Sequence, residues 1–349
     1  MSERGAEKAV AHDAASVAVL ELQKDSCVRL ASDAALTKQF RPHRERAGFF
    51  GSLAAFVDAR VLLPTVYPKR RPEPPVGPVR AFPPMPHLTG DSFAPPPPAT
   101  FDRDDHRVRF ESSAWPLVGE VTDELLARRR NRIVPLRLGG PVRGRSVVLG
   151  VHGYLGGGWM TDRVALAAAR FERAGYTFSH LTLPFHGARK ERRERPFFPH
   201  PDPRITFESL RQGALDVVTS VGVLRELGAR RVLLAGLSLG AYVAALAATI
   251  AEGLDGLVLL TPLASFRAFD ATPAGDARDL LTLTRASSRP SRLPGSAVLV
   301  VGARHDRLTP PEHARHLADS FKGELALVDG GHLLPFGRDP VLDRWLAAR

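Results

Sequence analysis

Cysteine is nearly absent from this sequence, and so are long uncharged apolar runs. Cys27 is the only cysteine among 349 residues. A single thiol excludes an intramolecular disulfide and a cysteine metal cluster, and it is typical of a reducing compartment. No segment reaches the roughly 18 uncharged apolar residues of a membrane-spanning helix, and the first residues lack the pattern of a signal peptide. We therefore expect a cytoplasmic protein.

The apolar segment at 48–67 comes nearest to a membrane-active sequence. Asp58 and Arg60 interrupt it. An amphipathic segment of this kind either lies on a membrane surface or docks on the core of its own protein. Docking is the more common outcome, so contact with a membrane surface stays as the alternative.

Phosphate-binding patterns and a coherent nucleic-acid surface are also missing. The glycine-rich stretch at 152–158 matches neither G-x-x-x-x-G-K-[ST] nor G-x-G-x-x-G. The net charge is +11, but the basic clusters at 128–130 and 188–196 are scattered, mixed with glutamate, and not joined to aromatic stacking residues. We expect no nucleic-acid partner, no metal and no organic cofactor.

The composition divides the chain into three regions. Residues 1–65 are predicted to form a partly helical N-terminal extension, and residues 66–104 a proline-rich strap or linker that contains Ala-Pro-Pro-Pro-Pro at 94–98. Proline fixes φ and removes a hydrogen-bond donor, which favours extended connections over helix or sheet. Residues 105–349 form the main, catalytic domain.

Strand patterns alternate with helix patterns through the main domain. This alternation predicts an α/β fold: a mostly parallel, doubly wound sheet of about eight strands with helices on both faces. The predicted strands are 107–113, 131–139, 145–153, 178–187, 232–235, 256–262, 296–302 and 324–330. The predicted helices are 162–175, 205–227, 239–251, 311–321 and 339–349.

A serine lies at a glycine-flanked corner between a predicted strand and a predicted helix. The sequence from Gly236 to Gly240 reads Gly-Leu-Ser-Leu-Gly. A strained turn of this type lifts the hydroxyl of Ser238 above the sheet, and small flanking residues let neighbouring backbone pass close by. The pentapeptide alone also fits an ordinary tight turn, so the prediction of a nucleophile depends on its position after a buried strand.

An acid and a base follow the serine in the order expected for a catalytic triad. Asp306 and His332 each lie just after a predicted strand, where open α/β sheets build their sites. Taken singly, Asp306 fits a turn carboxylate and His332 fits a loop histidine. His305 and Asp329 are competing candidates, but each is too close in sequence to its partner in the site.

The oxyanion hole and the substrate pocket are predicted from neighbouring residues. The backbone amides of Leu239, directly after the nucleophile, and of Tyr154, in the glycine-rich loop, are the candidate donors. Apolar residues around these positions favour an apolar acyl group. The predicted substrate-binding residues are Leu155, Trp159 and Leu237.

Five motifs in order give the main domain a recognisable resemblance. HGYLGGG, LPFHG, GLSLG, GARHDRLTP and GGH resemble the α/β-hydrolase superfamily over roughly residues 105–349. The resemblance implies a nucleophile at Ser238, an acid at Asp306, a base at His332 and oxyanion donors at Tyr154 and Leu239. LPFHG lacks the Asp of the superfamily's D-x-x-G-H-G-like turn, so His186 is expected to be structural.

The resemblance implies a serine hydrolase that cleaves a carboxylic ester-type bond of a small molecule through an acyl-enzyme. Thioesterases and peptidases share the fold, and fold does not choose among them. A non-catalytic binding protein of the same fold is the alternative from another class. The sequence leaves the lid and the oligomeric state open.

Overall fold

A computed structural model describes Asp58 and residues 90–94, 100–192, 194, 196–200, 202–266 and 281–349. The predicted extension at 1–65, apart from Asp58, lies outside the described residues. The same holds for the predicted strap at 66–104, apart from 90–94 and 100–104. No helix in the described part combines the length and hydrophobicity needed to cross a bilayer.

The described residues form one mixed sheet of ten strands with the order β1-β2-β3-β5-β4-β6-β7-β8-β9-β10. The strands from β5 across to β9 pair in parallel, whereas β1, β2 and β3 at one edge and β10 at the other pair antiparallel. The strands are β1 Phe101–Arg103, β2 Arg107–Glu111, β3 Ile133–Leu138, β4 Ser146–Val151, β5 Tyr176–Leu181, β6 Arg231–Leu237, β7 Gly256–Leu260, β8 Val298–Ala303, β9 Glu324–Gly330 and β10 Pro335–Phe336.

Helices cover both faces of this sheet. One core joins alternate strand residues to α4, α5 and α6, and a second core joins the others to α3 and α7. This double coverage explains why β4, β5, β7 and β8 are buried along their whole length. The helices are α1 Gly119–Leu126, α2 Trp159–Ala165, α3 Ala168–Arg173, α4 Pro203–Glu226, α5 Leu239–Ala248, α6 Pro311–Phe321 and α7 Arg338–Ala347.

The predicted α/β fold is confirmed, with differences at the ends of the sheet and in one helix. The short strands β1 and β10 extend the sheet beyond the predicted set, and β1 lies within the segment predicted as a strap. The single helix predicted at 162–175 is wrong. The chain forms α2 and α3 instead, because Ala167 adopts a left-handed conformation with φ 54° between them.

The topology brings the predicted site to one edge of the sheet. Strands β6, β7, β8 and β9 are parallel neighbours, so their carboxyl ends lie side by side. Ser238 follows β6, Asp306 follows β8 and His332 follows β9. The carboxyl edge of an open α/β sheet is where such folds place their ligand and catalytic groups.

Candidate active site

Ser238 lies in a strained turn between β6 and α5. Its backbone has φ 55° and ψ −115°, a region that residues other than glycine rarely adopt. The Ser238 amide donates to the Leu260 carbonyl at 3.0 Å, and the Ser238 carbonyl accepts from the Ala241 amide at 3.0 Å. Neighbouring strand and helix therefore hold the turn, as expected for a nucleophile elbow.

The glycines of this turn are required by close backbone contacts. A side chain at Gly240 would overlap the carbonyl oxygens of Val151 and His152 at the end of β4. A Cβ at Gly236 would lie 2.6 Å from the Cα of Ala241. The elbow therefore fits against β4 only when both positions lack a side chain.

His332 and Asp306 form a buried hydrogen-bonded pair. The Nδ1 atom of His332 lies 2.7 Å from Oδ2 of Asp306. The other carboxylate oxygen, Oδ1, accepts from the amides of Leu308 and Thr309, each at 2.8 Å. These amides fix the carboxylate, so Asp306 can hold the imidazole in one orientation and one tautomer.

Thr309 is a further member of this arrangement. Its hydroxyl oxygen lies 2.8 Å from Oδ2 of Asp306, 3.0 Å from Nδ1 of His332 and 3.1 Å from the carbonyl oxygen of Thr261. The sequence analysis missed this residue. The sequence indicated only a turn after Asp306, since an aspartate side chain often accepts from a backbone amide two residues further on.

The charges around His332 favour its protonated form. Burial lowers the pKa of the imidazole, but the Asp306 carboxylate, its hydrogen bond and the charge of Asp58 together raise that pKa above its ordinary value of 6.5. A raised pKa is suited to a base that must take a proton and then carry it as an imidazolium.

Ser238 lies at the carboxyl end of the sheet, as His332 and Asp306 do. It is not hydrogen-bonded to either of these residues. Among the described residues, the Ser238 side chain makes no capping hydrogen bond to the amides of α5. Catalytic hydrogen bonds are often long before substrate binds and shorten in the reacting complex.

The competing acid and base pair with each other. His305 Nε2 lies 3.2 Å from Oδ1 of Asp329, and the Asp329 side chain is half exposed. Asp306 is thus the carboxylate that contacts His332.

Two loops supply the predicted oxyanion donors. Leu239 provides the first amide of α5, where a helix leaves its N–H groups unpaired and attracts negative charge. On the other side, a Cβ at Gly153 would lie 3.4 Å from Cβ of Ser238. The loop that carries Tyr154 therefore passes beside the serine.

The predicted substrate-binding residues have different surroundings. Leu155 is 54% exposed, on the loop after β4. Leu237 is partly buried immediately before Ser238, against the core that includes α3 and α7. Trp159 packs its ring 5.7 Å from that of Phe178, in the same core. A role in substrate binding stays a prediction for all three.

Two buried histidines support the loops around the site. Nε2 of His152 accepts from the Leu183 amide at 3.0 Å, and its Nδ1 lies 2.7 Å from the Gly153 carbonyl oxygen. Burial lowers the pKa of His152 to about 3 and that of His186 to about 4, so both are neutral. His186 Nδ1 lies 2.8 Å from the Pro184 carbonyl oxygen, which fits the structural role expected for it.

His152, Asp162 and His180 could in principle face a metal ion, because their ligand atoms lie within 4.8 Å of one another. Most of the atoms that could bind the ion already contact other groups of the protein. Both nitrogens of His152 have backbone partners, while Asp162 Oδ2 lies 2.8 Å from His180 Nε2 and accepts from the Gly157 amide at 2.7 Å. The trio therefore fits an internal polar network that holds the loop after β4.

The chain is similar to a known protein family and to several solved structures. The Alpha/beta hydrolase family matches residues 148–295. No curated protein sequence matches the chain. Among solved structures, TT1662 from Thermus thermophilus is 24% identical, with 62% of this chain and 94% of that one covered and a TM-score of 0.44. Est1E from Butyrivibrio proteoclasticus with ferulic acid bound is 16% identical, with 62% and 94% covered and a TM-score of 0.45.

The sheet order and the strained turn at Ser238 give the described domain the α/β-hydrolase fold. Residues 148–295, less than half of the chain, also resemble the α/β-hydrolase family in sequence. The match spans β4, β5, β6, β7 and the elbow, whereas Asp306 and His332 lie after it.

Proposed function

We propose that this protein is a serine hydrolase that cleaves a carboxylic ester bond through an acyl-enzyme on Ser238. The observation that carries the proposal is the buried 2.7 Å bond between His332 and Asp306, held at the same sheet edge as the strained Ser238. A nucleophile needs a base, and the base needs an orienting acid. Ser238, His332 and Asp306 are the candidates for these three roles, and each follows a parallel strand at the carboxyl end of the sheet.

In the acylation step, Oγ of Ser238 attacks the carbonyl carbon of the ester while Nε2 of His332 takes the hydroxyl proton. The carbonyl oxygen becomes an oxyanion, which the amides of Leu239 and Tyr154 stabilise. The tetrahedral intermediate collapses, the bond to the alcohol oxygen breaks, and His332 gives its proton to the departing alcohol. Asp306 stabilises the imidazolium throughout.

In the deacylation step, a water molecule attacks the acyl carbon while His332 takes one of its protons. The bond between the acyl group and Oγ then breaks, and the proton returns to Ser238 as the carboxylic acid leaves. The chain's own groups supply every proton transfer in this cycle.

The proposed substrate is a small-molecule ester with an apolar acyl group. Two aliphatic residues support this choice. Leu155 is exposed on the loop that carries Tyr154, and Leu237 is the last residue of β6, directly before Ser238. Thioesters and amides react by the same steps, so the relative rates on matched ester, thioester and amide substrates decide the bond type.

Covalent labelling by a fluorophosphonate tests the proposal. Wild type should be labelled, with the mass increase on the peptide that contains Ser238. Ser238→Ala should lose all labelling, and His332→Ala should lose most of it, while both retain the wild-type circular dichroism spectrum. Ser288→Ala, at a serine outside the site, is the matched control and should label like wild type. A folded wild type that resists labelling would instead favour a binding protein of the same fold.

A further inference from the structure

A carboxylate from the N-terminal part of the chain reaches the loop of the candidate base. Oδ2 of Asp58 accepts from the His332 amide at 2.6 Å, and its Oδ1 accepts from the Leu333 amide at 3.1 Å. The Asp58 residue is 1% exposed. Each oxygen of this buried carboxylate therefore accepts a hydrogen bond from one of two consecutive backbone amides in the same loop.

These two bonds fix the backbone from which the imidazole projects. His332 lies in the short connection between β9 and β10, where Leu333 and Leu334 are 45% and 37% exposed. A connection with such exposed apolar side chains gains little from packing. Hydrogen bonds to a charged carboxylate are about twice as strong as neutral ones. Asp58 therefore stabilises the β9–β10 connection through its backbone amides.

Asp58 also contributes charge to the site. Burial and the nearby charge of Asp306 raise the pKa of Asp58, while its two backbone hydrogen bonds and the charge of His332 lower it. The charge of Asp58 in turn raises the pKa of His332, in addition to the larger effect of Asp306. An imidazolium formed during catalysis thus lies between two carboxylates. Among the described titratable groups near this cluster, His313 on α6 also feels the charge of Asp306, which raises the His313 pKa against the larger, lowering effect of burial.

We propose that Asp58 is a positioning residue of the catalytic site, which the N-terminal region supplies to hold His332 through its backbone. This inference rests on the proposed hydrolase function. It assigns part of the active site to a residue outside the sheet domain. Asp58 touches the backbone of His332 and Leu333, so it acts through the base rather than on the substrate.

Full-length variants at Asp58 separate positioning from mere structural support. Asp58→Ala removes both acceptors and the charge, Asp58→Asn keeps one acceptor, and Asp58→Glu keeps the charge. Asp105, which is exposed on the β1–β2 turn, provides the matched controls Asp105→Ala and Asp105→Asn. The measurements are the rate constant of fluorophosphonate labelling, kcat and KM on a short ester, and the pH dependence of labelling.

We expect Asp58→Ala to lower the labelling rate constant and kcat by about 10- to 100-fold, the scale of a small displacement of a catalytic group, with KM little changed. Asp58→Asn should fall between Asp58→Ala and wild type in rate. In both variants the acid limb of the pH profile should move to lower pH, because a negative charge that favours the imidazolium is lost. Asp58→Glu should recover part of the rate and keep the wild-type acid limb.

A labelling rate and an acid limb for Asp58→Asn equal to those of wild type would overturn the proposal, as would a loss of thermal stability alone. An unlabelled wild type would overturn the hydrolase function instead. In that case an NMR titration of the His332 ring in wild type and Asp58→Asn still tests the coupling. A lowered His332 pKa in the variant supports it, and an unchanged pKa rejects it.

Discussion

At the scale of single residues, His332 is the point where the interactions of the site converge. Asp306 and Thr309 contact its Nδ1 atom, and Asp58 accepts from its backbone amide. The ring is thus fixed on one side, while Nε2 is the nitrogen available for proton transfer. Changes to any of these partners should appear in the chemistry of the base before they appear in the fold.

For the proposed hydrolase, a pH dependence follows from the pKa of His332, which is raised above 6.5. Because a protonated imidazole cannot accept the Ser238 proton, we expect activity to be low below this pKa and to rise as the pH passes through it. We expect the acid limb of kcat/KM to lie above pH 6.5, measured with an ester whose product signal does not change with pH. An acid limb below pH 6.5 would contradict the assigned base.

Thr309 offers a second prediction at this scale. Thr309→Val keeps the shape of the side chain but removes the hydroxyl that contacts the Asp306 carboxylate at 2.8 Å. A hydrogen bond to a charged group is worth about 1.5–3 kcal/mol, so we expect kcat to fall by roughly tenfold or more. Thr309→Ser, which keeps the hydroxyl, should retain most of the activity. Equal loss in both variants would point to packing rather than hydrogen bonding.

At the scale of secondary-structure elements, the site depends on how closely α5 approaches β4. Gly240→Ala would place a methyl group against backbone carbonyls, which cannot move aside as a side chain could. We expect a loss of about 3 kcal/mol or more in the free energy of unfolding. Urea denaturation followed by circular dichroism measures it.

Gly222 provides the contrast, because it is exposed in α4 and has open space around its Cα. Gly222→Ala should raise the free energy of unfolding by about 0.5–1 kcal/mol through helix propensity. Similar effects of the Gly240 and Gly222 substitutions would show that the close approach of α5 to β4 is not a stability constraint.

The sequence predicted the elements that depend on local patterns. Both α6 and β9 have the predicted bounds, and α4 differs from its prediction by only a few residues because Asp202 caps its start and Gly228 follows its end. The break between α2 and α3 escaped prediction, since neither glycine nor proline marks Ala167. Periodicity reports the buried face of a helix and says little about where its backbone leaves the helical region.

The candidate site was predictable to the extent that its residues carry motifs. Ser238, Asp306 and His332 each follow a strand in a recognisable order, and the structure joins the last two by a hydrogen bond. Asp58 carried no such signal, because only the folded chain brings it to His332. The pattern of its surrounding segment suggested a docked or membrane-surface helix, which says nothing about a carboxylate contact in the site.

At the scale of the whole molecule, a buried ion pair ties three parts of the fold together. Arg189 and Asp216 are almost completely buried, and their charged atoms lie 2.8 Å apart. Arg189 also donates to the carbonyl oxygens of Asn131 and Thr182. The loop after β5 is thereby fastened to the segment before β3 and to α4.

Arg189→Met should lower the free energy of unfolding by about 3–5 kcal/mol, because it leaves the Asp216 carboxylate buried without its partner. The double variant Arg189→Met/Asp216→Leu should be more stable than Arg189→Met, since it removes the stranded charge. Arg192→Met, at an exposed position of the same loop, is the control and should change stability little. A double variant as unstable as the single one would mean that the backbone contacts of Arg189, not the charge pair, dominate.

The hydrogen bond between Asp58 and His332 joins residues 274 positions apart in the chain. Closing so long a segment costs entropy that grows with the logarithm of its length, so contacts of this kind form slowly. A refolding chain should therefore regain its sheet before it regains a held His332, and labelling of Ser238 should lag behind the recovery of circular dichroism. During synthesis this contact also forms late, because His332 leaves the ribosome only when most of the chain has been made. The contact that holds His332 is thus expected to be among the last parts of the site to form.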